Sequence, residues 1–365
     1  MTDYVELIPV NVVTGFLGSG KATLLQKLLA SPKLRDTAVL VNEFGEVGLD
    51  HHLLDNVSEG TSLWDNGCVC CALRGDLQES LRDLFSRREL GEIPRFERVV
   101  VETSGLADPV PIAYTILAEP VIQYHFRLGN IVTTIDAVNG RNQLEQHDES
   151  LKQAAVADRL ILTKTDLASV GQVNELRTEL RRLNSGAIVI DPAVEDVDPR
   201  RLLTDDTYDQ ESRAREVDRW LEDEALTTGS ASHRHGNEEH NHDRIFSFCL
   251  QYDAPLDWTA FGVWMTMLLN RHGDRVLRIK GLLNVSGVAT PVLINGVQHI
   301  VHPPLHLDGW PDTNHRNRII FIVRDLPQER IETSLAVFNA LANPESAGAL
   351  PPHQTSSEQT VSLNL

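Results

Sequence analysis

Long apolar runs are missing from this chain. None approaches the roughly 20 residues that cross a bilayer, so no membrane association is expected. The opening residues, Met1-Thr2-Asp3-Tyr4-Val5-Glu6, hold neither the basic stretch nor the apolar core of a signal peptide, which points to a cytoplasmic location. Positive charge is also short: 33 Lys and Arg stand against 52 Asp and Glu, a formal net charge of -19. A backbone-tracking nucleic-acid binder needs the opposite balance, so nucleic acid is not an expected partner. Cysteine is scarce, and three of the four crowd into Gly67-Cys68-Val69-Cys70-Cys71. Thiols so close together cannot staple distant segments as a disulfide framework does. The 365 residues, 41% of them hydrophobic, are enough for two domains with a sizeable core.

Gly15-Phe16-Leu17-Gly18-Ser19-Gly20-Lys21-Ala22 matches the phosphate-loop pattern Gly-x-x-x-x-Gly-Lys-Ser/Thr everywhere except its last position. It follows an apolar run, Leu7 to Val13, and opens a helix-like run, Ala22 to Leu29, which is the strand, loop and helix order the motif requires. Backbone N–H groups at a helix start form an anion site, and Lys21 adds a point charge for the terminal phosphates. Ala22 has no hydroxyl to offer Mg²⁺, where this position normally supplies one. Thr23, one helical step on, is rotated by about 100° and is a poor substitute.

Short Val- and Ile-rich runs recur at Ile8–Val13, Ala38–Val41, Arg98–Val101, Ile131–Ile135, Leu160–Leu162 and Ala187–Ile190. Helical runs at Asp76–Arg88, Asn142–Val156 and Gln172–Leu183 alternate with them. That alternation predicts a doubly wound α/β domain around a parallel sheet, over residues 1–200. Residues 201–243 read as a charged linker ending in a His-rich loop, in which His233, His235, His240 and His242 are candidates for weak metal binding. The alternative is a polar loop with no ligand. Residues 244–342 carry strand-like runs at Ile245–Tyr252, Val276–Leu283, Thr290–Ile294, Gln298–Val301 and Arg318–Val323, with helical runs at Trp258–Asn270 and Gln328–Ala342. They predict a smaller α+β C-terminal domain. The tail, 343–365, is rich in Ser, Pro, Gln and Thr and reads as disordered.

Three further segments bear chemistry. The run ending in Glu102-Thr103-Ser104-Gly105 sets an acid at a strand end downstream of the phosphate loop, the Walker B arrangement that orders Mg²⁺ or its waters. Gly105 then lets the backbone approach a terminal phosphate. Thr163-Lys164-Thr165-Asp166 follows another strand and reads as a guanine-reading Asn/Thr-Lys-x-Asp element, which favours GTP over ATP. In Asn42-Glu43-Phe44-Gly45-Glu46, two carboxylates flank a Phe-Gly pair after the second strand, facing the nucleotide or a nearby metal. The Cys68, Cys70 and Cys71 thiols can converge on one soft or borderline cation, Zn²⁺ first, with Cu(I) or Co²⁺ as alternatives. A buried or redox-active thiol cluster is the competing reading. Cys249 lies in an apolar strand and reads as core.

Together these segments resemble the CobW-like GTPases, P-loop metallochaperones of the SIMIBI class, and the resemblance spans both expected domains. It implies a P-loop NTPase fold and transfer of a metal to a client metalloprotein, with GTP binding and hydrolysis to GDP as the switch. It implies a nucleotide-binding set of Gly15, Gly18, Ser19, Gly20, Lys21, Ala22, Thr23, Gly105, Thr163, Lys164 and Asp166. Lys21, Glu102, Glu43 and Glu46 are the catalytic candidates, and Cys68, Cys70 and Cys71 the metal site with Glu43 as a nearby oxygen ligand. GTP, Mg²⁺ and Zn²⁺ are the implied ligands, with Co²⁺ as the alternative metal. Other members insert cobalt in cobalamin biosynthesis or activate nitrile hydratases. Ala22 departs from the family's threonine and leaves a nucleotide-binding protein with impaired hydrolysis as a further alternative. A kinase-like P-loop enzyme is disfavoured by the Thr163–Asp166 element. A monomer or a homodimer fits equally.

Overall fold

A computed structural model of the chain describes residues 6–41, 61–63, 69–72, 77–195, 198–203, 208, 217 and 245–342. Two sheets organise them. The first contains β1 (Ile8–Gly15), β2 (Thr37–Val41), β3 (Thr61–Leu63), β4 (Val69–Ala72), β5 (Arg98–Glu102), β6 (Phe126–Asp136), β7 (Arg159–Thr163) and β8 (Ile188–Ile190). Its order is β3-β4-β2-β5-β1-β6-β7-β8. Every pairing is parallel except that of edge strand β3 with β4. The helices are α1 (Lys21–Leu29), α2 (Leu77–Glu89), α3 (Val110–Ala118), α4 (Gly140–Gln146), α5 (Asp148–Val156), α6 (Val170–Leu183) and α7 (Arg200–Leu203).

Alternation along each strand builds two cores on opposite faces of this sheet. Ala38, Leu40, Val99, Val101, Leu160 and Leu162 share one core with Leu81, Leu84 and Ala113 of α2 and α3. Val39, Val41, Val100 and Ile161 share the other with Leu24, Leu25, Leu28 and Leu29 of α1. Strands covered on both faces must be apolar throughout, hence their continuous Val and Ile runs.

The second sheet is antiparallel. It comprises β9 (Ile245–Tyr252), β10 (Val276–Leu283), β11 (Val292–Val297), β12 (Ile300–Val301), β13 (Leu305–His306) and β14 (Asn317–Arg324). Helices α8 (Trp258–His272) and α9 (Gln328–Ala342) cover one face. Ile319, Phe321 and Val323 of β14 meet Trp264 and Leu335 of those helices. Ile320 and Ile322, on the opposite face, join the core of the first sheet. Polar contacts lock this junction. Arg278 Nη2 lies 2.5 Å from Asp158 Oδ1, and Lys280 Nζ lies 3.0 Å from the same oxygen. Lys280 also donates to the Gly186 carbonyl at 2.8 Å, and Arg324 pairs with Asp148. Burial drives the Asp158 carboxyl upward, but the two cations outweigh it and hold the group well below the usual carboxylate range.

The structure departs from the sequence expectations in four places. The run Asn142–Val156 is two helices, because His147 adopts extended backbone (φ -127, ψ 112) between α4 and α5. Helix α3, opened by Pro109 and Val110-Pro111, was not anticipated. Cys70 and Cys71 lie on a strand, β4. Within the stretch expected to be a linker, Leu202, Leu203, Tyr208 and Val217 are buried. The histidines at 233, 235, 240 and 242 and the tail from 343 lie outside the described residues. Among the described residues, no helix is long and apolar enough to cross a membrane.

Candidate functional site

Strand register sets the site. Val13 pairs with Glu102, Gly15 with Thr134, and Asp136 with Thr163. The carboxyl ends of β1, β5, β6 and β7 therefore meet along one edge, where open α/β sheets bind ligands. The loop after β1 sits there, and its glycines are required. Gly15 has φ 142, and a Cβ on it would lie 2.2 Å from Thr134 Oγ1. Gly18 and Gly20 have φ 70 and 90, a region that L side chains rarely adopt.

Neighbouring strand ends hold the loop from below. Ser19 Oγ lies 2.6 Å from Thr134 Oγ1, and Thr163 Oγ1 donates to the Ser19 carbonyl at 2.7 Å. Lys21 folds back across the loop, its Nζ donating to the carbonyls of Gly15 at 2.7 Å and Phe16 at 3.2 Å. Burial lowers the pKa of the Lys21 ammonium, and the charge of Glu102 works in the opposite direction. The Lys21 ammonium thus lies within reach of the Glu102 charge. Gly105 packs directly on the loop, since a Cβ there would lie 2.8 Å from the Leu17 nitrogen.

Residues 163–166 are tied to the same loop. Lys164, at φ 57, donates to the Gly18 carbonyl and to Asp136 Oδ2, each at 2.7 Å. Asp136 is 1% exposed. Burial pushes its carboxyl up, but bonds from Lys164, Asn139 and the Val138 and Asn139 amides prevail and hold it below its ordinary value. Asp166, by contrast, is exposed. Thr134, Asp136, Asn139 and Gln153 were not singled out in the sequence. A carboxylate closing the Ile131–Ile135 run was the available signal for Asp136; nothing local marks the others.

Oxygen donors for Mg²⁺ are present in part. Glu102 is 8% exposed at the end of β5. Ala22, half-buried in the first turn of α1, contributes none, and Thr23 is exposed on the outer side of the helix. The chemistry of these residues fits a cation held chiefly through Glu102, waters and the phosphates themselves.

Glu43, Glu46 and Cys68 lie outside the described residues. Cys70 and Cys71 are placed by backbone alone: Val39 pairs with Cys70 and Leu40 with Cys71. Leu40 also pairs with Val101, so β4 stands two strands, or about 10 Å, from β5 and its terminal Glu102. Among the described residues, no group of three His, Cys, Asp or Glu is arranged to hold a metal. Cys249 is partly buried against the core.

A family model for the CobW/HypB/UreG nucleotide-binding domain matches residues 9–191. A second, for the cobalamin synthesis protein cobW C-terminal domain, matches residues 245–339. The chain belongs to the CobW family. It is 32% identical to the zinc chaperone YjiA of Escherichia coli over 90% of this chain and 98% of that protein. It is 29% identical to the zinc-regulated GTPase metalloprotein activator 1 of Saccharomyces cerevisiae over 90% of this chain and 82% of that one. The crystal structure of Zn(II)-bound YjiA GTPase superposes with a TM-score of 0.68 at 30% identity, covering 91% of this chain and 99% of that one. The family's P-loop GTPase fold with a separate antiparallel C-terminal domain is the architecture found here.

Proposed function

We propose that this CobW-family chain is a GTP-dependent metallochaperone that carries zinc to a client metalloprotein. The carrying observation is the register that sets β4, with Cys70 and Cys71, beside β2 and two strands from Glu102. The names of the relatives, zinc chaperone and zinc-regulated activator, support the choice of metal. Three thiolates prefer zinc over harder cations.

In this reading the loop from Gly15 to Ala22 cradles the phosphates with its amides, and Lys21 leaves the Gly15 and Phe16 carbonyls for the terminal phosphates. Glu102 would hold Mg²⁺ or its waters, and a cation there would supply charge neutralisation for the phosphates. Gly105 closes on the γ-phosphate through its N–H. Asp166 accepts hydrogen bonds from guanine N1–H and the 2-amino group, which adenine cannot offer in that geometry. Glu43 and Glu46, in the segment that leaves β2, serve the nucleotide or a nearby metal. Cys68, Cys70 and Cys71 take the zinc cargo, with Glu43 as a nearby oxygen donor. Hydrolysis joins water to the γ-phosphorus, breaks its bond to the bridging oxygen, and leaves GDP and phosphate. Ala22 would slow this step, because it offers no hydroxyl to a cation at the phosphates.

Phosphate release from GTP, with and without zinc, tests the reading in wild type and Ala22→Thr. A zinc-dependent rate that rises in Ala22→Thr supports it. A rate indifferent to zinc in both proteins leaves a nucleotide-binding protein without a chaperone cycle.

A further inference from the structure

We infer that helix α5 couples the nucleotide site to the second sheet, with Gln153 as the positioning residue that holds the Gly105 segment. The inference rests on reading the Gly15–Lys21 loop as a nucleotide site.

Four contacts within twelve residues of chain carry it. His147, the extended residue that splits α4 from α5, stacks on Phe16 of the phosphate loop with ring centroids 4.5 Å apart. Gln153, 0% exposed, donates from Nε2 to the Gly105 carbonyl at 3.2 Å and to the Ala107 carbonyl at 2.9 Å. Asp148, at the start of α5, pairs with Arg324 of β14. Asp158, two residues past the helix, pairs with Arg278 and Lys280 of β10. One short helix thus touches the loop, the segment after the Walker B acid, and two strands of the other sheet.

The geometry leaves little slack. Gly105 is wedged between Leu17 of the loop and the Gln153 carboxamide. For its N–H to move toward a terminal phosphate, the Gly105–Ala107 segment must shift relative to Gln153 or take α5 with it. Breaking two buried hydrogen bonds strands polar groups, so the favoured course is for α5 to follow. The helix packs against β10, and close-packed interiors shift between discrete arrangements rather than deforming smoothly. A γ-phosphate is therefore felt at β10 and β14. By linkage, any ligand of the second sheet whose affinity differs between the two nucleotide states alters GTP affinity by the same factor.

The test uses the full chain with GDP and with a non-hydrolysable GTP analogue. Fluorescent-nucleotide affinities and amide hydrogen exchange are measured for wild type, Gln153→Met and Asp148→Asn. Methionine keeps the volume of Gln153 and removes both donors. Gln153→Met should hold GDP affinity within about twofold and lose about tenfold for the analogue, since the bonds matter most when Gly105 moves. In wild type, exchange in β10 and β14 should differ between the two nucleotides, and the difference should vanish in Gln153→Met. Asp148→Asn, at a half-exposed position, should keep both affinities and shrink the difference at β14. Equal loss for both nucleotides in Gln153→Met would assign that residue a merely structural role and overturn the inference. So would wild-type exchange that ignores nucleotide identity, or an unchanged β14 response in Asp148→Asn. Should Gln153→Met fail to fold, the wild-type and Asp148→Asn exchange decide. A wild-type chain that binds neither nucleotide would bring down the reading of the loop, and this inference with it. Binding of both without a response in the second sheet would bring down the inference alone.

Discussion

The two sheets use charged residues in different ways. In the parallel sheet Thr14, Glu102, Asp136 and Lys164 sit at or beside the strand ends on the edge that carries the phosphate loop, while Asn11, Asn130 and Thr133 are buried within strands. In the antiparallel sheet, Arg278 and Lys280 sit mid-strand and point into the junction with the first sheet. Charge at strand ends can be offered to a ligand. Charge at mid-strand is consumed by the fold. The same side-chain types thus serve binding in one region and assembly in the other.

The sharpest way to break that contrast is to remove a mid-strand charge. Arg278→Ala leaves Asp158 with Lys280 as its remaining cationic partner and should cost about 3 kcal/mol of stability, the lower end for breaking a buried pair. Thermal unfolding measures the loss, and an unchanged midpoint would contradict the assembly role. Stabilisation from Asp158 is full above the unfolded carboxylate value of about 3.9 and is lost as pH falls through the depressed folded value. Lys21→Ala is the counterpart at a strand-end site. It should cost about 2–3 kcal/mol of nucleotide affinity, the scale of a charge-assisted bond, and leave the unfolding midpoint nearly unchanged. Calorimetric titration alongside the melt separates the two effects.

His302 sharpens the comparison by pH. Its ring is 2% exposed and stacks on Tyr208 at 5.7 Å. Burial lowers its pKa to about 3, with Arg278 assisting and Asp158 opposing. The folded value lies below the unfolded value of about 6.5, so between the two the unfolded chain binds the extra proton. Stability should fall by about 1.4 kcal/mol per pH unit as pH drops below about 6.5. His302→Phe, which keeps the ring stack, should flatten the melting temperature between pH 7 and pH 5. A similar size of effect is expected at Asp166. Asp166→Ala should erase a guanine preference of about tenfold or more, or about 1.4 kcal/mol, read by titration with GTP and ATP.

Much of the candidate nucleotide site was legible because its signals are local. The glycines of residues 15–20 need positive φ, and the strand-ending acid and the Thr163–Asp166 element each occupy a few adjacent residues. The sheet class was legible from continuous Val and Ile runs. What supports the loop was not. Thr134 reaches Ser19 of the loop from 115 residues away in sequence, Gln153 binds Gly105 from 48 residues away, and Asp136 acts on the loop only through Lys164, 28 residues on. The second sheet shows the limit of periodicity. Its β14 reads Ile319-Ile320-Phe321-Ile322-Val323 because both faces are buried, one under its own helices and one against the first sheet. Hydrophobicity reports that both faces are covered, not what covers them. The break at His147 escaped because histidine carries no local helix-stop signal; its ring stacks on Phe16, far away in sequence.

In the proposed cycle a nucleotide at the strand-end site controls zinc at the cysteine segment. Competition against a chelating dye measures it directly, with no nucleotide, with GDP and with a non-hydrolysable GTP analogue. Ala22→Thr runs in parallel to offset weak Mg²⁺ binding. Zinc should bind more tightly with the analogue than with GDP, protons should be released on binding, and replacing Cys70 and Cys71 by serine should remove the tight site. Identical zinc affinity in all three conditions would contradict this cycle and leave a structural zinc site on a P-loop fold.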